Sequence, residues 1–159
     1  MTYEKFSTFK KGLILSLLKD AYADEPDMVD AFSGDWEKSD AFLFDNLSFM
    51  DSTGFVTVEN GIPVGFMSWD PRHVPGYIDI GHNCIIRSRK GRGLGKQQLS
   101  YGLEKIKLLG PKRITVKTGN IPFFLPARKM YESQGFVCIG KKENDSILVP
   151  EIIEYEIIM

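Results

Sequence analysis

The sequence predicts a mixed α/β domain, in which one twisted sheet of about six to seven strands is flanked by about four helices. Apolar residues at helical spacing dominate the first third of the chain, and short alternating segments follow them. Near the middle come a strand, a glycine-rich loop, a helix and a second strand, the order of a crossover between parallel strands. At 159 residues the chain is expected to form one domain, over residues 1–159.

Helices are predicted in the N-terminal third of the chain. The first contains an apolar stripe made of Leu13, Ile14, Leu17, Leu18 and Ala21. A second helix is predicted over about residues 39–46. The segment between them contains Pro26 and Gly34, so we expect it to form a connection or a mobile flap.

Antiparallel strands come next. Residues 55–59 alternate in polarity, Asn60-Gly61 is the strongest short hairpin signal, and residues 62–69 form the return strand. A long strand is then predicted over residues 77–86.

Helices and strands alternate in the second half. A helix over residues 97–109 and a strand over 113–117 complete the crossover. Pro126 suits the first position of a helix that Gly135 ends. Closing strands are predicted over residues 136–139 and 151–158. The last is long and apolar, so its pairing between subunits in a homodimer is an alternative to a monomer.

The most informative stretch is Arg87-Ser-Arg-Lys-Gly-Arg-Gly-Leu-Gly-Lys96, which holds three glycines and five cationic side chains. A glycine-rich loop that opens a helix leaves backbone N–H groups unpaired at the positive end of the helix dipole. The stretch therefore predicts a phosphate-binding loop. It does not match the nucleotide-binding P-loop, because Gln97 follows Gly95-Lys96, or the dinucleotide fingerprint, because Gln98 replaces the third glycine.

Composition limits the remaining functions. A formal net charge of −1 gives no support for a nucleic-acid binder, and no apolar run reaches the roughly 20 residues that span a bilayer. Cys84 and Cys138 lie in apolar strand-like segments, which predicts buried free thiols in a cytoplasmic protein.

Two motifs resemble those of the GCN5-related N-acetyltransferase (GNAT) superfamily. The family's acetyl-CoA loop, Arg/Gln-x-x-Gly-x-Gly/Ala, reads Lys90-Gly-Arg-Gly93-Leu-Gly95 here, with Lys90 in place of the usual Arg or Gln. The second motif, Ala-x-x-x-Tyr-x-x-x-Gly-Phe, is fully matched by Ala127-Arg-Lys-Met-Tyr131-Glu-Ser-Gln-Gly135-Phe136. With the strand that precedes them, these motifs cover about residues 77–136.

The resemblance implies an enzyme that moves the acetyl group of acetyl-CoA to a primary amine of a small molecule or peptide. Transfer would be direct, in a ternary complex and without a metal. The resemblance also implies acceptor-side helices over about residues 7–50, an acetyl-CoA-binding core over about 54–137 and closing strands over about 136–159. A domain that binds acyl-CoA without chemistry, as a sensor or interaction module, is the alternative.

The resemblance further implies which residues bind acetyl-CoA. The pantetheine arm would pair with the backbone at Asn83, Cys84, Ile85 and Ile86, and the N–H of Ile85 or Ile86 would face the thioester carbonyl. The phosphates would contact Arg87, Arg89, Lys90, Gly91, Arg92, Gly93, Leu94, Gly95 and Lys96. Family members often carry an Asn three residues before the motif Ala. That place is Phe124 here, so Asn120 is the candidate for the role.

Three residues are candidates for proton transfer. Tyr131 occupies the family's general-acid position and would protonate the coenzyme A thiolate, because a phenol stays protonated at neutral pH. The base is Asp79 or His82, on opposite faces of the strand, unless ordered water takes the amine proton. Cys84 is the alternative acyl carrier, but nothing in the sequence lowers the pKa of its thiol.

The acceptor is indicated only by charge. Between Asp20 and Asp51, ten acids accompany one lysine, Lys38. This favours a cationic acceptor such as a polyamine, an aminoglycoside or a peptide amine, with a solvated acidic surface as the alternative. Four aromatic residues would line the acceptor pocket or pack in the core, namely Phe32, Trp36, Phe42 and Phe44.

Overall fold

The computed structural model describes residues 1–159. Its strands are β1 (Thr2–Glu4), β2 (Gly54–Glu59), β3 (Ile62–Asp70), β4 (Tyr77–Ile85), β5 (Arg113–Gly119), β6 (Val137–Glu143) and β7 (Glu151–Ile158). Its helices are α1 (Leu13–Ala21), α2 (Pro26–Asp45), α3 (Leu47–Met50), α4 (Leu94–Lys107) and α5 (Leu125–Ser133).

One seven-stranded mixed sheet contains all the strands, in the order β1-β2-β3-β4-β5-β7-β6. Strands β4 and β5 are parallel, as the crossover predicted. The pairs β1–β2, β2–β3, β5–β7 and β6–β7 are antiparallel. The β2–β3 hairpin turns at Asn60 and Gly61, with φ of 52° and 77°, as a type I′ turn requires. The predicted α/β fold is confirmed.

The chain forms two compact units. The first comprises Met1–Ser68 and His82–Leu99, and the second comprises Trp69–Gly81 and Ser100–Met159. Side chains from the 3₁₀ turn Phe6–Thr8 and from α1, α2, β2 and β3 build the core of the first unit, which consists of Phe6, Ile14, Leu17, Leu18, Trp36, Leu43, Val56, Val58 and Phe66. Buried side chains of the second unit include Ile78, Ile80, Ile114, Val116, Ile153 and Tyr155. No helix has both the length and the apolar character needed to cross a bilayer.

A single long helix, α2, replaces the connection and short helix expected over this part of the chain. Pro26 lies in its first turn, where the missing N–H costs no hydrogen bond. Gly34 lies inside the helix, at a cost of roughly 1 kcal/mol relative to Ala. Buried Met28 and Trp36 anchor the helix on either side of Gly34. Packing therefore outweighs the local signals that predicted a flap.

Asp40, on α2, caps the N-terminus of α1. Its side chain is 3% exposed, and its carboxylate accepts hydrogen bonds from the backbone N–H groups of Gly12 (2.7 Å), Ile14 (2.9 Å) and Leu15 (3.2 Å). Gly12 occupies the N-cap position with φ of 101° and has no side chain to cap the helix itself. Asp40 thus satisfies first-turn donors that have no acceptor within α1.

The structure corrects two expectations about the closing strands. Strand β7 pairs with β5 on one edge and with β6 on the other. Strand β6 is at the sheet edge and extends to Glu143, beyond the predicted end at residue 139. Cys138 on this strand is exposed, not buried, because an edge strand with exposed side chains carries it.

One helix boundary and one additional strand also differ from the prediction. Helix α4 begins at Leu94, within the glycine-rich loop, because Leu94 is already buried. Strand β1, which pairs with β2, was not predicted, since three residues are too few to show a period.

Candidate functional site

The glycine-rich loop joins β4 to α4 and leaves one side open. A short 3₁₀ turn, Arg87–Arg89, comes first, and Gly91 and Gly93 then adopt φ of 73° and 78°. The N–H of Gln97 donates to the carbonyl of Gly93 (3.1 Å), which closes the first turn of α4. A Cβ atom at Gly91 or Gly93 would meet no protein atom within 4 Å. These glycines therefore supply left-handed backbone beside open space.

This geometry fits an anion. The N–H groups that precede Gln97 at the start of α4 have no acceptor within the helix, and they lie at the positive end of its dipole. Lys96 is exposed in the same turn and forms no ion pair. A phosphate group that approaches the loop would therefore meet backbone donors and a free cation, and no Cβ atom at residues 91 and 93.

Two loop arginines are already paired with one carboxylate. Arg89 Nε donates to Glu59 Oε2 (2.7 Å), and Arg92 contacts both Glu59 oxygens at 3.2 Å. Desolvation favours the neutral form of Glu59, but the two guanidinium groups outweigh it and hold the Glu59 pKa below its usual value. Arg89 therefore anchors the loop to the end of β2.

The two other cations of the loop bind the segment after α1. The N–H of Arg87 donates to Asp20 (2.7 Å), and its guanidinium pairs with Asp24 (2.8 Å). Lys90 Nζ donates to the Ala21 carbonyl, and burial lowers the pKa of this amine. The sequence pattern indicated that these side chains supply charge for phosphates. It did not reveal their partners, two carboxylates for Arg87 and a backbone carbonyl for Lys90, which lie more than 60 residues away along the chain.

Strand β5 pairs with the first part of β4 only, and these pairs stop before the end of β4. Paired residues of β4 and β5 run from Tyr77–Arg113 to Ile80–Val116, whereas β4 continues to Ile85 and β5 to Gly119. The N–H of Ile86 donates to the Val64 carbonyl on β3 (2.8 Å), so it cannot also face a thioester carbonyl. Successive N–H groups of a strand point to opposite edges, which leaves Ile85 as the candidate donor.

A buried glutamine fixes the side chain of Asn83. Gln98 Nε2 donates to Asn83 Oδ1 (2.6 Å) and to the carbonyls of Phe66 and Cys84, and its Oε1 accepts from Thr57 (2.6 Å). Asn83 Nδ2 is buried and has no hydrogen-bond partner. An unsatisfied donor of this kind costs roughly 1–3 kcal/mol, which a ligand carbonyl would recover.

Cys84 is unsuited to nucleophilic chemistry. Its side chain packs against the core of the first unit. Burial raises the pKa of the thiol to about 12, so the thiolate is scarce at neutral pH.

A cleft of about 350 Å³ opens in the first unit among α1, α2, α3, β3 and β4. Its apolar lining consists of Ile14, Phe42, Leu43, Met50 and Phe66, and its polar lining consists of Lys38, Ser39, Ser68 and His82. The His82 ring lies 5.4 Å from the ring of Phe66, and burial lowers the His82 pKa below 6.5. His82 is therefore a neutral imidazole in this cleft at neutral pH.

The other candidate base is held within the second unit. Thr115 Oγ1, on β5, donates to Asp79 Oδ1 (2.7 Å) across the parallel strand pair.

Of the four aromatic residues assigned to pocket or core, Phe42 lines the cleft, whereas Trp36 belongs to the core and Phe32 and Phe44 pack against it.

Tyr131 is buried near the end of α5. It is 5% exposed. Its ring packs edge-on against Phe136 at 5.6 Å and lies 6.4 Å from the ring of Tyr155, at an angle of 36°. Gly135 adopts φ of 92° after the helix, which lets the Phe136 N–H return to the Tyr131 carbonyl (3.1 Å). The Tyr-x-x-x-Gly-Phe motif is thus a helix end that fixes the position of Tyr131.

Asn120 is engaged within the second unit. Its Nδ2 donates to Glu151, and its Oδ1 accepts from Arg128 (2.8 Å). A cofactor contact from this side chain would have to replace one of these bonds.

Comparison with known proteins gives a match to one family description. A family model described as the acetyltransferase (GNAT) family matches residues 16–136. A curated relative, the uncharacterized N-acetyltransferase YsnE of Bacillus subtilis (strain 168), is 42% identical over 67 residues, which are 42% of this chain. The chain matches only 42% of that relative's length.

Solved structures share the fold at low sequence identity. A protein from Desulfovibrio desulfuricans described within the GNAT family superposes with a TM-score of 0.76 at 16% identity, over 99% of this chain and 96% of that one. Aminoglycoside 6'-acetyltransferase type Ii gives 0.69 at 15%, over 99% and 97%. A GNAT family acetyltransferase from Elizabethkingia anophelis, with acetyl-CoA bound, gives 0.60 at 16%, over 72% and 82%.

Proposed function

We propose that this chain is an N-acetyltransferase and that it moves the acetyl group of acetyl-CoA to a primary amine. The chain belongs to the acetyltransferase (GNAT) family, and the proposal starts from that membership. One observation carries the proposal: the left-handed Gly91 and Gly93 border open space at the N-terminus of α4. Bound acetyl-CoA would supply an acetyl group already activated as a thioester. The binding and proton-transfer steps fall to residues of this chain.

The pyrophosphate would be bound mainly by backbone donors. N–H groups between Gly91 and Lys96, including those of Leu94 and Gly95, would surround it, and Lys96 would add a free positive charge. Arg92 is half-exposed and could exchange Glu59 for a phosphate oxygen. Arg87, Arg89 and Lys90 would hold the loop in shape, since each already has a protein partner.

The pantetheine arm would lie along the end of β4. Its amides resemble a peptide and would pair with the backbone between Asn83 and Ile85, beyond the last pair of β4 with β5, Ile80–Val116. The orphan Nδ2 of Asn83 supports this assignment, because it offers a donor to a carbonyl. The N–H of Ile85 would polarise the thioester carbonyl.

Two side chains would move protons. The amine nitrogen bonds to the acyl carbon, the carbon–sulfur bond breaks, and the sulfur takes a proton from the Tyr131 hydroxyl. The amine loses its proton to His82, directly or through water. A neutral imidazole in the cleft supports His82 over Asp79, whose carboxylate already accepts a bond from Thr115. The high pKa of Cys84 supports direct transfer without an acetyl-cysteine.

The test is thiol release from acetyl-CoA across a library of primary amines, together with calorimetry of acetyl-CoA binding. Tyr131→Phe should lower kcat by roughly 10²-fold or more and leave acetyl-CoA affinity nearly unchanged. Tyr77→Phe is the matched control, because it removes a hydroxyl from a ring stacked on His73. If neither acetyl-CoA nor free coenzyme A produces heat on mixing, the proposal is wrong.

A further inference from the structure

Lys38 is the single cation of the cleft, and no acid neutralises it. It is also the only lysine or arginine between Asp20 and Asp51. No Asp or Glu lines the cleft, and Lys38 forms no ion pair. The cleft therefore presents a net positive charge although it lies in the acidic third of the sequence.

Half of the ten acids in that stretch have other partners. Asp20 and Asp24 bind Arg87, Asp40 caps α1, Asp45 pairs with Lys11, and Asp51 accepts from the N–H of Ser7. The other five, Glu25, Asp27, Asp30, Asp35 and Glu37, are not part of the cleft lining. The acidic composition thus gives no support for a polycationic occupant of the cleft.

The rest of the lining is largely apolar. Ile14, Leu43 and Phe66 are buried at its base. Phe42 also lines the cleft, yet it is 58% exposed, so an apolar ligand would remove a large aromatic surface from water. His82 lines the same cleft and is the base of the proposed function.

The size of the cleft indicates a small molecule. A volume of about 350 Å³ is at the lower end of the range for small-ligand sites, roughly 300–1,000 Å³. A ligand of this size that occupies the apolar lining reaches only a few polar groups. Among these polar groups, Lys38 would bind an anionic group of the ligand, whereas His82 would face an amine.

We propose that the acceptor is a small primary amine with an apolar body and a carboxylate, and that Lys38 selects the carboxylate. This inference rests on the proposed function, and it names the substrate class of the same site. Lys38 forms the contact to the carboxylate, Phe42 and Met50 cover the apolar body, and His82 receives the amine proton.

The experiment compares L-phenylalanine, L-phenylalaninamide, phenethylamine and spermidine as acceptors in the thiol-release assay. The measured quantity is the ratio of kcat/KM for phenylalanine to that for its amide, compared between the native protein and Lys38→Ala. This comparison cancels the difference in basicity between the two amines. Lys38→Ala should lower the ratio about tenfold, because it removes a charge-assisted contact. Lys107→Ala, which changes an exposed lysine on α4, should leave the ratio unchanged.

A second variant tests the location. Ser39→Trp places a bulky ring on an exposed position of the lining, so it should raise KM for phenylalanine while acetyl-CoA affinity stays the same. The inference is overturned if Lys38→Ala leaves the ratio within twofold, or if spermidine is acetylated and phenylalanine is not. In the latter case the proposed function still stands. If no amine is acetylated and acetyl-CoA does not bind, both proposals fail.

Discussion

At the scale of single residues, the two candidate bases differ in what surrounds them. Asp79 accepts a hydrogen bond from Thr115 and lies in a strand pair of the second unit. The ring of His82 contacts Phe66 and lines an open cleft. Burial favours its neutral form, which is the form a base needs.

The pH dependence of acetyl transfer tests His82. Only the neutral imidazole accepts a proton, so kcat/KM should fall as the pH drops through the His82 pKa, which lies below 6.5. His82→Gln should lower kcat/KM by roughly 10²-fold and abolish this fall of kcat/KM at acidic pH. Asp79→Asn should leave both the value of kcat/KM and its fall at acidic pH unchanged. If the fall persists in His82→Gln and is lost in Asp79→Asn, the base is Asp79.

Residues that belong to short local motifs were predictable from the sequence, and residues whose partners are distant in the sequence were not. The motif glycines and Tyr131 were identifiable because short local patterns define them. The partners of the loop cations were not, because Asp20 and Glu59 reach the loop only through the fold. The same holds for Gln98, whose contacts to Thr57 and Asn83 span 41 and 15 residues of sequence.

At the scale of elements, one carboxylate couples two helices. Asp40→Ala would leave the N–H groups of Gly12, Ile14 and Leu15 without their acceptor. We expect the free energy of unfolding to fall by roughly 2–4 kcal/mol, more than for an ordinary exposed cap. Asp45→Ala, on the same helix, should cost less than about 1 kcal/mol, because its pair with Lys11 is exposed. Urea unfolding measures both values, and equal losses would contradict the capping role.

The same contact explains why α2 was mispredicted. Pro26 and Gly34 are local signals for a break, and the helix accommodates both. Its stability comes from buried Trp36, Leu43 and Asp40, whose importance depends on the position of α1. Periodicity within a window of sequence cannot report such contacts.

At the scale of the whole molecule, the charges of side chains near a site depend on which side chains meet in the fold more than on their order in the sequence. The acidic first third and the basic loop were predicted as separate patches for acceptor and phosphate. In the fold, Asp20, Asp24 and Glu59 bind the loop, and no carboxylate lines the cleft. The parallel pairing of β4 with β5 was predictable, because a strand–loop–helix–strand unit favours a crossover between parallel strands. The distribution of charge was not, because it depends on which side chains meet.

Ligand-linked stability provides a test on the folded chain as a whole. A ligand that binds only the native state stabilises it by about 2.7 kcal/mol at one hundred times its Kd. For a chain of this length, each kcal/mol raises Tm by roughly 2–4 °C, so saturating acetyl-CoA should raise Tm by about 5–10 °C. Thermal unfolding with and without acetyl-CoA measures this shift.

Gly93→Val should remove most of that shift, because it puts a β-branched side chain at φ of 78° on the open face of the loop. Gly110→Val is the matched control, since Gly110 has φ of 70° and equally open surroundings, but lies after α4. Both variants carry similar backbone strain and should lower Tm without ligand. Only Gly93→Val should lose the response to acetyl-CoA. Equal responses in the two variants would mean that the phosphates bind elsewhere than at the start of α4.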